Sequence, residues 1–245
     1  MISVSCKNLQ NQNNQTKMSV KLYYDLLSQP SRAVYIFLKK CNIPFEAKIV
    51  NVAKGEQFKE GYEKINPFRK VPAIEHNGFN LTESVAIMRY LCREFKVDDH
   101  WYPKDSKARA RVDEYLEWQH LNTRLHNASY FLVKFLYPML KGKPPKPEKV
   151  SIHESRMVEC LDQIENVWLN DNKLFLTGQQ ISIADLLGAC EIEQPRMAGF
   201  DPLEGRPKLS SWYDRVVSET SPFYEEAHVL LNKLANGKGK ASSKL

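Results

Sequence analysis

The fold of this chain is constrained most by a strand-like run that is followed by a serine and then by a helix that opens with a proline. Residues Val20 to Tyr24 read as a strand, and the apolar residues after Pro30 recur at helical spacing. Ser28 therefore lies in a strand-to-helix turn. Helix N-termini carry unpaired N–H groups and the positive end of the helix dipole, so this turn predicts a place where an anion is stabilised. Taken alone, Ser28 fits a helix cap better, since Ser before a helix opened by Pro is a common N-terminal signal.

The next segment adds two turn signals. Pro72 interrupts the strand-like run Val71 to Ile74, and proline cannot donate to a central ladder, so it predicts a turn, an edge or a cis bond. Asn77-Gly78 predicts a hairpin. A helix follows, which Thr82 or Ser84 would cap.

The order of elements follows from these signals. With a strand over Ala47 to Val50 and a short helix over about Glu56 to Lys64, the first part of the chain reads βαβαββα. Helical spacing dominates beyond residue 105, with a capping motif at Ser182 and Asp185 and two last helices, roughly Lys208 to Ser218 and Pro222 to Leu234.

These motifs together resemble theta-class glutathione transferases. The resemblance covers about Met18 to Leu231 and rests on DLLSQPSRAVYIF, NPFRKVPAI, LTESVAIMRYL, ARARVDEYLEWQH, FLTGQQISIADL and DPLEGRPKL. It implies the glutathione transferase fold, with an α/β thioredoxin-like N-terminal domain and an all-α C-terminal domain. The expected boundaries are 1–17 for a disordered leader, 18–97 for the glutathione-binding domain, 98–105 for a linker, 106–234 for the helical domain and 235–245 for a flexible basic tail.

The resemblance also implies an activity. The chain would conjugate reduced glutathione to hydrophobic electrophiles, such as epoxides and activated halides, with glutathione-dependent peroxidase activity as a further expectation. Glutathione would be a co-substrate, no other cofactor is expected, and the chain would form a homodimer. A non-catalytic ligand-binding or structural protein with the same fold is the alternative, and the retention of Ser28 speaks against it.

Ser28 is the implied catalytic residue. A free thiol has a pKa of about 8.5, and a hydrogen bond to a charged group contributes about 1.5–3 kcal/mol, so one serine donor would lower that pKa by about one to two units. The backbone at Val71 and Pro72 would pair with the cysteinyl part, and Glu83 and Ser84 would take the γ-glutamyl group. The remaining implied residues are Gln57, Lys70 and Arg124 for glutathione, and Phe131 and Phe135 for the electrophile pocket.

Plainer roles remain open for these residues. Glu83 could complement the helix dipole, Lys70 and Gln57 could be solvated surface, and Arg124 could pair with Glu117 or His120 on its own helix. Tyr23 and Tyr24 lie inside the predicted strand, where packing is the expected role.

Composition limits the other partners. The net charge of +6 is concentrated in the leader, in the Lys/Pro-rich loop Gly142 to Pro147 with its flanking lysines, and in the tail, so no nucleic-acid surface is expected. Five scattered cysteines without a CxxC pair fit a reducing compartment and predict no metal site. No apolar run is long enough to span a bilayer, and no membrane partner is expected.

The last three residues match a targeting motif. Ser243, Lys244 and Leu245 spell the peroxisomal address SKL, which an import receptor would read at a free, extended terminus. Cytosolic residence, peroxisomal residence or both are therefore expected. The start of translation, at Met1 or Met18, stays open.

Overall fold

The computed structural model describes residues 19–239 and divides into two compact units after Phe95. The predicted leader at 1–17, Met18 and the terminal Ser243, Lys244 and Leu245 lie outside the described residues.

The first unit is a four-stranded mixed sheet with two helices, the thioredoxin-like arrangement that the resemblance implied. The elements are β1 (Val20–Tyr24), α1 (Gln29–Lys40), β2 (Phe45–Ile49), β3 (Ala73–His76), β4 (Phe79–Thr82) and α2 (Ser84–Glu94). Strand order is β2-β1-β3-β4, with β1 parallel to β2 and antiparallel to β3. The parallel β1–β2 pair needs a crossover, which helix α1 supplies.

Two predictions for the first unit were wrong. The second strand is β2, Phe45–Ile49, two residues earlier at its start than predicted. The short helix expected over Glu56 to Lys64 is replaced by separate 3₁₀ turns at Val52–Lys54, Glu56–Phe58 and Tyr62–Lys64. Gly55 and Gly61 have φ of 71° and 94°, so each breaks the right-handed path and stops a continuous helix from forming.

The predicted hairpin is confirmed. Asn77 and Gly78 have φ of 52° and 80°, the positive pair that a type I′ turn requires, and β3 and β4 pair on either side. The Val71–Pro72 peptide bond is cis, one of the three outcomes that the position of Pro72 predicted.

The second unit is all-helical. A continuous helical run from Ser106 to Lys141 contains two wide π-helical turns, His120–Arg124 and Leu132–Leu136. A third π turn, Ile164–Trp168, continues the helix Pro147–Gln163. The helices are α3 (Ser106–Gln119), α4 (Leu125–Phe131), α5 (Tyr137–Lys141), α6 (Pro147–Gln163), α7 (Ile183–Ile192), α8 (Pro207–Thr220) and α9 (Phe223–Gly239), with 3₁₀ turns at Asp99–Trp101 and Gln194–Ala198.

Helix α7 forms the centre of this unit, because every one of its residues is buried. The predicted capping motif is confirmed: the Ser182 side chain accepts from the Ala184 N–H, and Asp185 accepts from the Ser182 N–H at 2.8 Å. Asp185 also accepts from the Leu176 N–H and from the Trp212 indole N–H, both at 2.8 Å. One buried carboxylate thus joins α7 to α8 and to the preceding loop.

The last helix is longer than predicted. Helix α9 continues to Gly239 and does not end near Leu234, so the first residues of the expected tail are helical. The prediction ended the helix at Leu234, because the apolar residues at helical spacing stop there. A helix that has already formed gains a backbone bond with each added residue, and no proline stops it here.

Candidate active site

Ser28 occupies the N-cap position of α1, but its side chain makes no capping hydrogen bond. Its backbone is extended, with φ −87° and ψ 123°, and its carbonyl accepts from the Arg32 N–H at 3.1 Å. The position therefore matches the capping alternative, while the capping bond itself is missing. Ser28 is half-buried, and a hydroxyl at the positive end of α1 can donate to an anion.

Two charged residues hold the turn that carries Ser28. Asp25 accepts from the Leu27 N–H at 2.8 Å and from the Val52 N–H at 2.9 Å. Arg32 is fully buried, and its guanidinium donates to the Leu26 carbonyl at 3.0 Å. Sequence reasoning missed both roles. An aspartate two residues before a turn N–H is the one local signal that could have indicated the first.

The Val71–Pro72 segment is fixed from the side. The Lys70 carbonyl accepts from the Tyr62 hydroxyl at 2.8 Å and from the Asn66 side-chain amide at 2.7 Å. Burial raises the pKa of Tyr62 to about 12, so its hydroxyl stays a donor at physiological pH. Tyr62 and Asn66 were also missed, because no sequence signal shows that their side chains reach this carbonyl.

Glu83 is the N-cap residue of α2, with φ 66° and ψ 111°. The prediction that Thr82 or Ser84 caps the helix was wrong, since Ser84 is the first helical residue and Glu83 makes no side-chain capping bond. A positive φ is uncommon outside glycine, and such strained positions cluster at functional sites. The Glu83 side chain is exposed and Ser84 is buried at the start of α2, where N–H groups can hold a carboxylate.

Gln57 and Lys70 differ in their surroundings. The Gln57 Oε1 is shielded from solvent and has no hydrogen-bond partner among the described residues. This observation argues against a purely solvated role for Gln57. Lys70 is exposed, which fits either of its two interpretations.

Strand register explains why these segments belong to one end of the sheet. Tyr23 pairs with Ala73, and Ala73 pairs with Thr82, so the three residues form one row across β1, β3 and β4. The Ser28 turn follows β1, Val71 and Pro72 precede β3, and Glu83 and Ser84 follow β4. The topology therefore brings these predicted site segments to the same edge of the first unit.

The other predicted site residues lie in the second unit. Arg124 ends a π turn, and its Nε donates to Glu191 Oε1 at 2.9 Å, with Glu191 fully buried on α7. Glu191 is thus a partner of Arg124 that sequence reasoning, which considered Glu117 or His120, did not name. Phe131 is buried in the core of this unit, with its ring 5.5 Å from that of half-buried Phe135.

The described residues contain neither a metal-binding cluster nor a membrane-spanning helix. No group of three or more His, Cys, Asp or Glu side chains between residues 19 and 239 could hold a metal ion. Over the same residues, no helix has both the length and the apolar character needed to cross a membrane.

Similarity to known proteins covers both units. The family model "Glutathione S-transferase, N-terminal domain" matches residues 18–93, and the model of the C-terminal domain matches residues 128–219. The chain is 45% identical to human glutathione S-transferase theta-1 over 88% of this chain and 90% of the relative. Its identity to mouse glutathione S-transferase theta-3 is 44% over the same shares.

Solved structures agree. Human glutathione S-transferase T1-1 in its apo form aligns with a TM-score of 0.85 at 44% identity, over 89% of this chain and 91% of that one. A human theta-class transferase in complex with the glutathione conjugate of 1-menaphthyl sulfate aligns with a TM-score of 0.85 at 38% identity, over 92% of each chain. The chain therefore belongs to the glutathione S-transferase family and, within it, to the theta class of these transferases.

Proposed function

We propose that this transferase activates reduced glutathione with Ser28 and adds it to hydrophobic electrophiles, with epoxides and activated halides as the expected classes. The observation that carries the proposal is the Ser28 hydroxyl at the N-terminus of α1, which makes no capping bond. Glutathione conjugation follows from family membership. Two related human theta structures add support, one in complex with glutathione and one with a glutathione conjugate.

In the proposed mechanism, the thiol first releases its proton to solvent. The Ser28 O–H donates to the resulting thiolate, and the α1 dipole favours the same charge. The thiolate sulfur then attacks carbon: a C–S bond forms as the carbon–halogen or carbon–oxygen bond breaks, and the leaving atom keeps the electron pair. Ser28 keeps its own proton throughout, so no base beside it is needed.

The first unit offers matching groups for the rest of the tripeptide. The backbone at Val71 suits the cysteinyl peptide group, Glu83 suits the γ-glutamyl ammonium, and Ser84 with the α2 N–H groups suits its carboxylate. Lys70 and the Gln57 amide suit the glycine carboxylate. Arg124, and Phe131 with Phe135 for the electrophile, remain predictions from the resemblance.

The test compares Ser28→Ala with Ser31→Ala. Ser31 is a matched control, because it lies three residues after Ser28 in the first turn of α1. It is fully buried, and its Oγ has no hydrogen-bond partner among the described residues. The thiolate of bound glutathione is followed by ultraviolet absorbance across pH. Ser28→Ala should raise its pKa by about one to two units and slow conjugation, while Ser31→Ala should not. Wild-type turnover of Ser28→Ala near pH 6.5 would overturn the assignment.

We also propose a homodimer. Phe58 and Phe68 in the first unit are more than half exposed, and a second copy would bury such large apolar groups. Sedimentation equilibrium should give twice the chain mass, and a monomer at micromolar concentration would contradict this proposal.

The physiological substrate and location need separate tests. Turnover of a model hydroperoxide measures the proposed peroxidase activity directly. Peroxisomal delivery through Ser243, Lys244 and Leu245 predicts that an N-terminal fluorescent fusion colocalises with a peroxisomal marker and disperses once these residues are deleted. Diffuse fluorescence from the intact chain would contradict the peroxisomal part.

A further inference from the structure

The last turn of the long helical run exposes three large apolar side chains. Tyr137, Met139 and Leu140 in α5 are 45%, 57% and 63% exposed. Single exposed apolar residues are normal, but three within four positions form an apolar surface that water solvates poorly. We name residues 137–149 the α5 tip.

Four lysines of the α5 tip adjoin this apolar surface. Lys141, Lys143, Lys146 and Lys149 are all exposed, and Glu148 is the single acidic residue among residues 137–149. Within residues 19–239, no ion pair joins these four lysines to a carboxylate. The Lys141 ammonium lies 5.4 Å from the ring centroid of Tyr137, so cationic and apolar groups are direct neighbours.

The backbone holds this arrangement in place. Gly142 ends α5 with φ 60°, and the Lys143 N–H donates to the Pro138 carbonyl at 3.3 Å. Pro144, Pro145 and Pro147 each fix their own φ, which reduces the conformational freedom that binding would remove.

We propose that the α5 tip docks on an anionic bilayer surface, with Met139 and Leu140 at the boundary between headgroups and acyl chains. The lysines complement anionic headgroups, and the apolar side chains gain from leaving water. Protein–protein interfaces are depleted in lysine, and a nucleic acid offers little to aliphatic side chains, so a lipid surface fits this mixture best.

Surface docking departs from the expectation that no membrane partner exists. That expectation rested on the lack of a bilayer-spanning run, and an interfacial site needs no such run. The α5 tip shares no residue with the proposed glutathione site, so docking and catalysis can be tested separately.

The charge arm of the test uses vesicle co-sedimentation of the full chain. Vesicles of phosphatidylcholine alone are compared with vesicles that contain about 30 mol% phosphatidylserine. The variant Lys143→Gln/Lys146→Gln/Lys149→Gln is matched by Lys96→Gln/Lys104→Gln/Lys107→Gln, which removes the same charge from exposed positions elsewhere. Each lysine at a membrane surface contributes about fivefold, so the tip variant should lose binding to anionic vesicles at least about tenfold more than its control.

The apolar arm compares two residues of equal exposure. Leu140 and Val167 are both 63% exposed, so Leu140→Ser and Val167→Ser remove similar apolar area. Leu140→Ser should weaken vesicle binding severalfold, and Val167→Ser should not; unchanged conjugation shows that both variants are folded. Equal binding of the tip and control lysine variants would overturn the proposal, as would a Leu140→Ser variant that changes oligomeric state, which would assign the surface to a second copy.

Discussion

The Tyr62 hydroxyl donates to the Lys70 carbonyl at 2.8 Å, one residue before the Val71 backbone that is expected to pair with glutathione. Asn66 donates to the same oxygen at 2.7 Å, so two side chains from the turn segment fix one carbonyl. The proposed glutathione site therefore depends on groups that need not touch the tripeptide.

Tyr62→Phe removes one of these two donors and keeps the ring. A neutral hydrogen bond contributes about 0.5–1.5 kcal/mol and Asn66 still holds the carbonyl, so we expect KM for glutathione to rise about two- to fivefold with little change in kcat. Tyr23→Phe is the matched control, because its hydroxyl reaches Glu75 at 3.4 Å and its ring packs against Tyr62. An unchanged KM in Tyr62→Phe would remove Tyr62 from the site.

Alkaline pH gives a second readout for Tyr62. Burial raises its pKa from about 10 to about 12, so the folded chain holds the proton more tightly than the unfolded chain. The associated stabilisation is complete below about pH 10 and is lost as pH rises through about 12. The difference in urea midpoint between wild type and Tyr62→Phe should therefore narrow between about pH 8 and pH 11, and a constant difference would contradict this linkage.

Glu83 combines a strained backbone with an exposed carboxylate, and two substitutions separate these properties. Glu83→Ala keeps the positive φ, whereas Glu83→Gly relieves strain of about 1–3 kcal/mol, offset in part by glycine's entropy. We expect both variants to bind glutathione more weakly in calorimetry, and Glu83→Gly to be about 1 kcal/mol more stable than Glu83→Ala in urea. Wild-type affinity in both would reduce Glu83 to a helix-start role.

Asp185 should be more sensitive to substitution than the neighbouring Ser182. Asp185→Ala leaves the backbone N–H groups of Leu176 and Ser182 and the Trp212 indole N–H without this acceptor. Each buried unpaired donor costs about 1–3 kcal/mol, so the loss of unfolding free energy should exceed about 3 kcal/mol. Ser182→Ala removes the capping hydroxyl, which also donates to Asp185 Oδ2 at 2.9 Å, but leaves the three N–H donors of Asp185 paired. It should cost about 1 kcal/mol, measured in the same urea series. Similar losses in the two variants would contradict this ranking.

The Arg124–Glu191 pair can be tested as a unit. Removing Arg124 alone takes a cation from a buried carboxylate, which typically costs about 3–5 kcal/mol, and Arg124→Gln/Glu191→Gln should recover a large part of that loss. Urea unfolding of the single and double variants measures this coupling. No recovery would show that the pair does not act as a unit. A raised KM for glutathione that persists in the recovered double variant would support the role that the resemblance implies for Arg124.

Local signals predicted the elements that depend on neighbouring residues. The Asn77-Gly78 turn, the helix after Ser28 and the Ser182–Asp185 capping box each follow from residues within a few positions of one another. The turns at Val52–Lys54 and Glu56–Phe58 were not predicted, because helical spacing over so short a segment does not show which glycine adopts a positive φ.

The sequence pattern could not predict which side chains from distant segments form hydrogen bonds or ion pairs. Arg124 and Glu191 are 67 residues apart, and Val52 lies 27 residues from Asp25. Only the packed fold decides which carboxylate a guanidinium meets. The same reason explains why Tyr62 and Asn66 were overlooked, although Lys70 beside them was named.

The π-helical turn at His120–Arg124 determines where this helical run can lose a residue without changing which side chains face the core. Buried Val112 and buried Phe131 are nineteen residues apart, whereas five regular α-helical turns take about eighteen. The turn accommodates one surplus residue, and the following helix continues in phase with the helix before it. Loss of one residue within this turn would leave a regular helix and keep Phe131 facing the core. The same loss inside α3 would rotate all downstream residues by about 100° and turn the core-facing side chains outward.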